Sequence, residues 1–233
     1  ILLTNFFLRY ADLFFCISNN IFKELRSFKI PTNKIIRINN AIVDNDFYIK
    51  SKKPLRENKG LNRTDYILSI GRLTEQKNHL MLLKSFIQIK KNYKKKLFLV
   101  IIGEGHLKND LKNFVKKNKI EQDVIFLNNL QNVLNYIKCC KLFVQTSLWE
   151  GQPNVLIEAL LLNKQVIATK CPGQNKKNLL QFKNCHFLKV NSPKFLSKII
   201  LFFLNKKKMI FKSNMTKNFL INKSGIKILH AIK

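Results

Sequence analysis

Residues 147–162 read S-L-W-E-G-Q-P-N-V-L-I-E-A-L-L-L, and the organisation of the chain follows from this stretch. The apolar residues 143–144 precede it as a short strand, and the apolar run 155–162 is typical of a helix. Pro153 suits the first turn of that helix, where a missing N–H costs no hydrogen bond. The stretch therefore predicts a strand, a tight turn at Gly151 and a helix N-terminus that presents unpaired N–H groups to an anion.

Two carboxylates lie in this stretch of a basic protein. Glu150 and Glu158 are two of seven glutamates in a chain of formal net charge +30. Both have a simple alternative explanation as acids that stabilise a helix start, but Glu158 lies too deep among apolar neighbours to gain much from the helix dipole, so it needs a partner. Carboxylates accept hydrogen bonds from hydroxyl groups, so a ligand with phosphates and hydroxyls, such as a nucleotide sugar, fits both halves of the stretch. Trp149, the lone tryptophan, could line the sugar site, but it is predicted to pack in the core.

Short strands and helices alternate in the surrounding sequence. This alternation predicts an α/β fold with a parallel sheet and helices on both faces, in which ligands bind beyond the carboxyl ends of the strands. Apolar runs predict strands at 66–70, 97–102, 124–127, 142–145 and 166–169, and the other patterns predict helices at 80–90, 107–115, 133–140 and near 177–182.

The flanking segments suggest a division of the chain. Residues 1–45, with strands predicted at 13–17 and 34–38 and a helix at 21–28, are interpreted as the remnant of a preceding domain. Residues 46–64 are charged and aperiodic, which predicts a linker. Residues 65–195 form the predicted ligand-binding domain, and 196–233 are predicted to form lysine-rich helices.

Composition narrows the class of protein. The apolar fraction of 46% is enough for a sizeable core, and no apolar run reaches the roughly 20 residues of a membrane span. We also expect no signal peptide, since the sequence opens without a charged leader. Five cysteines without a C-x-x-C pattern favour a reducing compartment, hence the cytoplasm. The four histidines lack metal-ligand spacing, so no metal is expected.

The net charge comes from 37 lysines and only 6 arginines. Specific nucleic-acid readers rely on arginine, and no nucleic-acid recognition motif is present, so no specific nucleic-acid partner is expected. A basic face toward an anionic membrane surface is a better hypothesis, with the protein peripheral at the inner membrane face. A solvated lysine coat without a partner is an equal alternative.

Two further groups of residues follow predicted strands. Gly71-Arg72-Leu73 precedes Lys77, and this arginine and lysine could clamp a diphosphate, the arginine by its planar fork and the lysine as a point charge. Gly103-Glu104-Gly105 lacks the third glycine of a dinucleotide fingerprint, so it is either a tight turn or a phosphate contact.

Together these motifs resemble the nucleotide-sugar-binding half of a retaining GT-B glycosyltransferase of family 4. The resemblance rests on the E-x7-E pair Glu150 and Glu158, on G-R-L with Lys77 five residues after the arginine, on the G-x-G strand end and on the V-x-F-L strand 124–127. It covers roughly residues 10–232, and the combined set is specific although each motif alone is not. The implied fold is a Rossmann-like parallel sheet, the C-terminal half of GT-B, behind a small N-terminal remnant.

The resemblance also implies roles for residues. Arg72 and Lys77 would hold the donor diphosphate and stabilise the leaving group, and Glu150 would bind the donor sugar, which makes these three the predicted catalytic residues. Glu158 would accept the ribose hydroxyls. No cofactor or metal is implied, because cationic side chains take the metal's place. The predicted donor-binding residues are Gly71, Gly103, Gly105, Leu127, Asn132, Ser147, Gly151, Gln152, Pro153, Asn154, Val155 and Glu158.

The implied activity is retaining transfer of a hexose or N-acetylhexosamine from a nucleotide sugar, such as a UDP-sugar, to a glycan or lipid-linked acceptor in cell-surface polysaccharide or glycolipid synthesis. Most of the acceptor-binding domain is not found in these residues. Two alternatives therefore stay open: a non-catalytic nucleotide-sugar-binding subunit whose acceptor domain is a second chain, and a truncated, inactive fragment. A basic nucleic-acid-binding module is a weaker third alternative.

Overall fold

The structure, a computed structural model, describes residues 8, 10–38, 41–55, 59–172, 179, 182–189, 192–206, 219–221, 226, 228 and 230. The chain divides into two units. The smaller unit contains residues 1–44 and 214–233, and the larger contains residues 45–213.

The smaller unit contains a two-stranded parallel sheet of β1 (Phe14–Cys16) and β2 (Ile35–Arg37). Between them, helix α1 (Asn19–Ser27) begins where the Ser18 hydroxyl accepts a hydrogen bond of 3.2 Å from the backbone N–H of Ile21. These elements confirm the strands and the capped helix predicted for this part of the chain. Its interpretation as part of a preceding domain stays a prediction.

The larger unit is built on a six-stranded sheet with the order β5-β4-β3-β6-β7-β8, in which all neighbouring strands are parallel. This confirms the predicted fold class. The sequence did not predict the last strand, whose residues are only partly buried at the sheet edge and lack a continuous apolar run. The strands are β3 (Tyr66–Ile70), β4 (Phe98–Ile102), β5 (Val124–Leu127), β6 (Leu142–Gln145), β7 (Val166–Thr169) and β8 (Cys185–Leu188).

Helices connect these strands and cover the sheet. Alternate strand residues such as Ile67, Leu99 and Ile101 join a core with α3 and α7, and the residues between them are equally buried. Burial on both faces explains why the strands are near-continuous apolar runs. The helices are α2 (Phe47–Lys52), α3 (His79–Asn92), α4 (Lys108–Lys117), α5 (Leu134–Cys139), α6 (Asn154–Leu161) and α7 (Pro193–Asn205).

The described part of the linker expected at 46–64, residues 46–55 and 59–64, is instead folded within the larger unit. Helix α2 packs against α5, and Phe47, Leu55 and Leu61 are each at most 3% exposed. These widely spaced apolar residues anchor a stretch rich in charged residues, so its average polarity conceals their burial. The Asn132 side-chain amide adds a 2.9 Å hydrogen bond to the Lys50 carbonyl oxygen.

The end of the chain differs from the predicted division at 195. Helix α7 begins at Pro193, where the Ser192 hydroxyl accepts from the Phe195 N–H at 3.2 Å, and it belongs to the larger unit. Residues 214–233 belong to the smaller unit. The helices expected after 206 and the one near 177–182 lie almost wholly outside the described residues.

Glycines allow the loops at the carboxyl edge of the sheet to pack backbone to backbone. The Gly71 N–H donates to the Ile102 carbonyl at 3.0 Å, and the Gly103 N–H donates to the Leu127 carbonyl at 3.0 Å. A Cβ atom at Gly103 would lie 2.1 Å from the Gly71 oxygen, and one at Gly105 would lie 2.3 Å from the Leu73 oxygen. Both glycines are therefore required by the fold, whatever else they contact.

Replacing Gly103 with alanine should destabilise the protein strongly. The new methyl group would overlap a backbone oxygen that is itself held by the sheet edge, so we expect a loss of about 3 kcal/mol in the free energy of unfolding. Urea titration followed by circular dichroism measures it. Gly60→Ala is the matched control, since a Cβ there meets nothing within 4 Å. Equal stability of the two variants would contradict the steric argument.

Candidate functional site

The strand order creates a crevice between β3 and β6. The chain leaves β3 toward β4 on one side and leaves β6 toward β7 on the other, so the two following loops diverge at this switch point. Backbone contacts hold the loops together below the crevice. The Leu148 N–H donates to the Gln76 carbonyl at 2.8 Å, and the Thr146 hydroxyl reaches the carbonyl oxygens of Lys77 and Asn78 at 3.0 and 2.9 Å.

A buried ion pair joins the same two loops. Glu150 is 6% exposed, and its Oε1 atom accepts hydrogen bonds from the Lys77 ammonium, from Gln145 Nε2 at 2.9 Å and from the Ser147 hydroxyl at 2.6 Å. The side chain of Lys77 is 16% exposed. A carboxylate this deeply buried is tolerated only because a cation and two further donors meet it. Three residues that the sequence predicted for the site, Lys77, Ser147 and Glu150, are thus in direct contact.

Local backbone structure places Lys77 in this pair. The short 3-10 helix Glu75–Lys77 ends at Asn78, whose φ of 47° is left-handed and turns the chain into α3. The Lys77 stem then passes over Gly71, where a Cβ atom would lie 3.0 Å from Lys77 Cε. Gly71 therefore makes room for the lysine, which is a packing reason for the G-R-L motif.

Arg72 lies outside this buried pair. Its Nη2 donates to Gln76 Oε1 at 3.0 Å on the exposed surface, and Gln76 Nε2 donates to the Trp149 carbonyl at 3.0 Å. Exposed contacts of this kind contribute little to stability, so the guanidinium can turn toward a ligand. Trp149 itself is 50% exposed, so the prediction that it packs in the core is wrong. Its backbone carbonyl is held by Gln76, while its ring lies at the surface.

Glu158 lies in α6 without a protein partner for one of its oxygens. Its Oε2 atom is buried with no hydrogen bond, and burial raises the pKa of the carboxyl group to about 7. The side-chain oxygens of Thr74 and Gln152 are likewise buried and unsatisfied. Each such group costs about 1–3 kcal/mol. Three of them in the segments flanking the crevice are an arrangement suited to a polar ligand.

The N-terminus of α6 lies next to Glu150 in the sequence. Pro153 occupies the N-cap position, one residue before the predicted first turn, and supplies no side-chain acceptor for the first N–H groups. The glycine at 151 is not required by the turn, because a Cβ there would meet nothing within 4 Å. The backbone does bend at residue 151, as predicted, but it does so without a left-handed conformation, so the turn does not depend on the glycine. The same segment contains Gln152, Asn154 and Val155, which the sequence also predicts as donor-binding residues.

Two predicted residues lie near β5, the outermost strand on the side of the sheet away from β6 and β7. Leu127 ends β5, and its carbonyl accepts from Gly103. Asn132 lies just before α5, and its Oδ1 accepts from the Leu134 N–H at 3.2 Å. Its side chain is therefore committed to the fold through this hydrogen bond and its bond to the Lys50 carbonyl. The residues before it open onto a cavity of about 400 Å³, lined by Lys53, Pro54, Asn129, Leu130, Gln131, Asn132, Asn135 and Tyr136.

Sequence reasoning missed Gln145, Gln76 and His79. Gln145 was detectable as a polar residue at the carboxyl end of a buried strand, whereas Gln76 acts only through contacts formed in the fold. His79 is buried with its Nδ1 atom 3.4 Å from the Ser69 hydroxyl, and burial lowers its pKa to about 4, so the ring is neutral. His79 is the first residue of α3, directly after the loop that carries Lys77, and its neutral ring adds no charge there.

The described residues contain no cluster of three histidine, cysteine, aspartate or glutamate side chains arranged to hold a metal ion. No helix within the same ranges is long and apolar enough to cross a bilayer. Metal independence stays a prediction.

The fold is a parallel α/β unit with a switch point between β3 and β6, and comparison with known families specifies it further. Residues 50–219 match the glycosyl transferases group 1 family, so the chain belongs to that family. An uncharacterized glycosyltransferase of Methanocaldococcus jannaschii is 34% identical over 174 residues, which are 73% of this chain and 43% of that protein.

Two further relatives carry more specific descriptions. The N-acetylgalactosamine-N,N'-diacetylbacillosaminyl-diphospho-undecaprenol 4-alpha-N-acetylgalactosaminyltransferase of Campylobacter jejuni is 38% identical over 45% of this chain and 27% of its own length. The crystal structure of Anabaena HepE with UDP and glucose superposes with a TM-score of 0.81 at 19% identity, covering 99% of this chain and 65% of HepE. The chain thus spans less than half the length of these curated sequence relatives.

Glu158 should make stability depend on pH. The folded state keeps the carboxyl proton up to a pH of about 7, while the unfolded chain releases it near the ordinary value of 4.5. The unfolded state therefore binds fewer protons between these values, and stability falls as the pH rises through this window. Relative to Glu158→Gln, the wild type should lose about 3 kcal/mol of unfolding free energy across it. Urea titrations at several pH values measure this, and a constant difference would contradict the assignment.

Proposed function

We propose that this chain is the donor-binding part of a retaining glycosyltransferase that uses a UDP-sugar and serves a glycan or lipid-linked acceptor in cell-surface polysaccharide or glycolipid synthesis. The observation that supports it best is the buried Lys77–Glu150 pair at the switch point of a parallel sheet. This pair supplies a cation for a diphosphate and a carboxylate for sugar hydroxyls at one edge. The names of the Campylobacter and Anabaena relatives favour a lipid-linked acceptor and a UDP donor.

The diphosphate would lie between Lys77, Arg72 and the N-terminus of α6. Lysine offers a point charge, arginine a planar pair of donors, and the helix start the positive end of its dipole. The charge on the diphosphate grows as the sugar bond breaks, so fixed donors here stabilise the transition state more than the ground state. Lys77 in particular is held in place before the donor arrives, because Glu150 already orients its ammonium.

The donor sugar would contact Glu150. All three donors within the protein converge on Oε1, so Oε2 is the oxygen that would accept a sugar hydroxyl. The surrounding hydrogen bonds fix the carboxylate and leave it little rotational freedom to lose on binding. Glu150 would thus position the sugar while the neighbouring cations receive the leaving group.

Glu158 would accept the ribose hydroxyls. Its unsatisfied Oε2 is an acceptor that the protein leaves without a donor. Ribose supplies two adjacent hydroxyl donors, which would favour the ionised carboxylate and lower its raised pKa on binding. This assignment distinguishes the proposal from a basic nucleic-acid-binding module, whose affinity would depend on salt and not on this glutamate.

The acceptor, the linkage and the site of action belong to the proposal as well. We place the whole enzyme at the cytoplasmic face of the membrane, where lipid-linked glycans are extended, and we propose that its cations replace a metal. A second chain or further sequence would supply the acceptor-binding wall. Transfer from UDP-sugar to an acceptor by residues 1–233 alone would contradict that last point.

The ribose role can be tested by comparing UDP with 2′,3′-dideoxy-UDP. Wild-type protein should bind UDP about tenfold or more tightly than the dideoxy compound, because hydrogen bonds to a charged group contribute about 1.5–3 kcal/mol. Glu158→Gln should lower this preference to near unity. Isothermal titration calorimetry at a pH above 7 measures all four affinities. A preference that survives in the variant would exclude the ribose role.

Gly103→Ala cannot test donor binding because it disrupts the fold, but Gly151→Ala can. The new methyl group meets no protein atom, so the thermal midpoint should stay within about 2 °C of wild type, the scale of a surface substitution. Affinity for UDP should nevertheless fall about tenfold, because the methyl group projects where the phosphates approach the helix start. Unchanged affinity would show that the phosphates do not bind close to Gly151. Gly60→Ala is the control for both measurements.

A further inference from the structure

The acidic residues of this chain end at Glu158. Residues 159–233 contain sixteen lysines and no aspartate or glutamate. All thirteen acidic residues therefore lie in the first two-thirds of the sequence, and a formal charge of +30 is distributed unevenly. Such asymmetry indicates a surface directed at an anionic partner rather than a uniform solvated coat.

Helix α7 displays this basic segment together with exposed aromatic rings. Phe195 and Phe202 are 42% and 55% exposed, and they are seven residues apart, two turns or about 10 Å along the same side of the helix. Lys194, Lys198 and Lys206 are exposed beside them. We define the outer face of α7 as these five residues, four of them on the helix and Lys206 directly after its last residue.

The opposite side of α7 is buried and fixes the helix on the larger unit. Leu196, Ile200 and Leu204 are at most 3% exposed and pack into the core with α3. Apolar burial on that side is sufficient to hold the helix, so the two exposed phenylalanines are not needed for the fold. Single exposed apolar residues are ordinary, but two aromatic rings in register with three lysines form a continuous strip.

The lysines and rings of this strip are arranged to act together. The Lys206 ammonium lies 4.3 Å from the centroid of the Phe202 ring and 5.6 Å from that of Phe203. The strip therefore combines apolar surface with cations, the combination found where helices lie in the boundary between lipid head groups and acyl chains.

We propose that the outer face of α7 docks on an anionic lipid bilayer. Lysines near such a surface are attracted by its negative potential, while the phenylalanine rings enter the head-group region. A second copy of the chain is a poorer occupant, because this face carries no acidic residue to neutralise the lysines of its partner. Nucleic acid is poorer as well, since the cations are lysines and the exposed rings would stay in water along a phosphate backbone.

This surface is independent of the proposed donor site. It needs no nucleotide and no acceptor, and none of its residues belongs to the crevice. Failure of the vesicle experiment below would leave the UDP measurements untouched, and failure of those measurements would leave the vesicle result untouched.

The experiment is co-sedimentation of the full 233-residue chain with vesicles. Vesicles of phosphatidylcholine alone are compared with an equimolar mixture of phosphatidylcholine and phosphatidylglycerol. Wild-type protein should sediment with the mixture only, and added salt should weaken binding. Lys198→Gln/Lys206→Gln should lower the partition coefficient about thirtyfold, the effect of two lysines at an anionic surface. Phe202→Ser should lower it about tenfold.

Matched controls remove the same groups elsewhere on the larger unit. Lys112→Gln/Lys116→Gln deletes two exposed lysines of α4, and Tyr48→Ser deletes a ring that is 44% exposed on α2. Both should bind the mixed vesicles nearly as well as wild type, with circular dichroism confirming that every variant is folded. Equal losses in the α7 variants and their controls would show that only net charge matters and would overturn the proposal. RNA binding or dimerisation that depends on Lys198 and Phe202, without vesicle binding, would overturn it too.

Discussion

The ion pair between Lys77 and Glu150 is the contact on which the candidate site depends. It joins the loop after β3 to the loop after β6, two segments 73 residues apart in sequence. A buried carboxylate without its cation would cost several kcal/mol, so neither residue can be understood alone. Gln145 and Ser147 complete the hydrogen bonding of the same oxygen. The pair thus fixes the walls of the crevice and, at the same time, orients the charges that a phosphorylated sugar would meet.

Near this pair, the loops at the carboxyl edge of the sheet pack with their backbones in direct contact. The loops after β3 and β4 approach so closely that a single methyl group at Gly103 would overlap the Gly71 oxygen. Glycines that look like a phosphate-binding motif therefore have a sufficient structural reason. Gly151 is the opposite case, since the protein leaves open space where its side chain would lie. Similar sequence signals thus correspond to different physical requirements, and only the packing distinguishes them.

The unsatisfied oxygens near the crevice show a conflict between stability and binding. Glu158, Thr74 and Gln152 each keep a buried acceptor without a donor, which lowers the stability of the free protein. A ligand with hydroxyl groups would remove that penalty on binding. The raised pKa of Glu158 has the same origin, because burial disfavours its charged form until a donor is present. Local instability of this kind is expected where a protein is shaped for a ligand.

The sequence by itself determined the strand–helix alternation, the parallel sheet and most element boundaries, because apolar periodicity reflects burial directly. It also predicted Lys77, Ser147, Glu150 and Glu158 as site residues, from their places at strand ends and in an apolar helix and from the motifs that they complete. Only the tertiary structure decided that Lys77 meets Glu150 while Arg72 stays at the surface, that Trp149 is exposed, and that Phe47, Leu55 and Leu61 are buried. Those outcomes depend on contacts between segments distant in sequence, for which local pattern carries no signal.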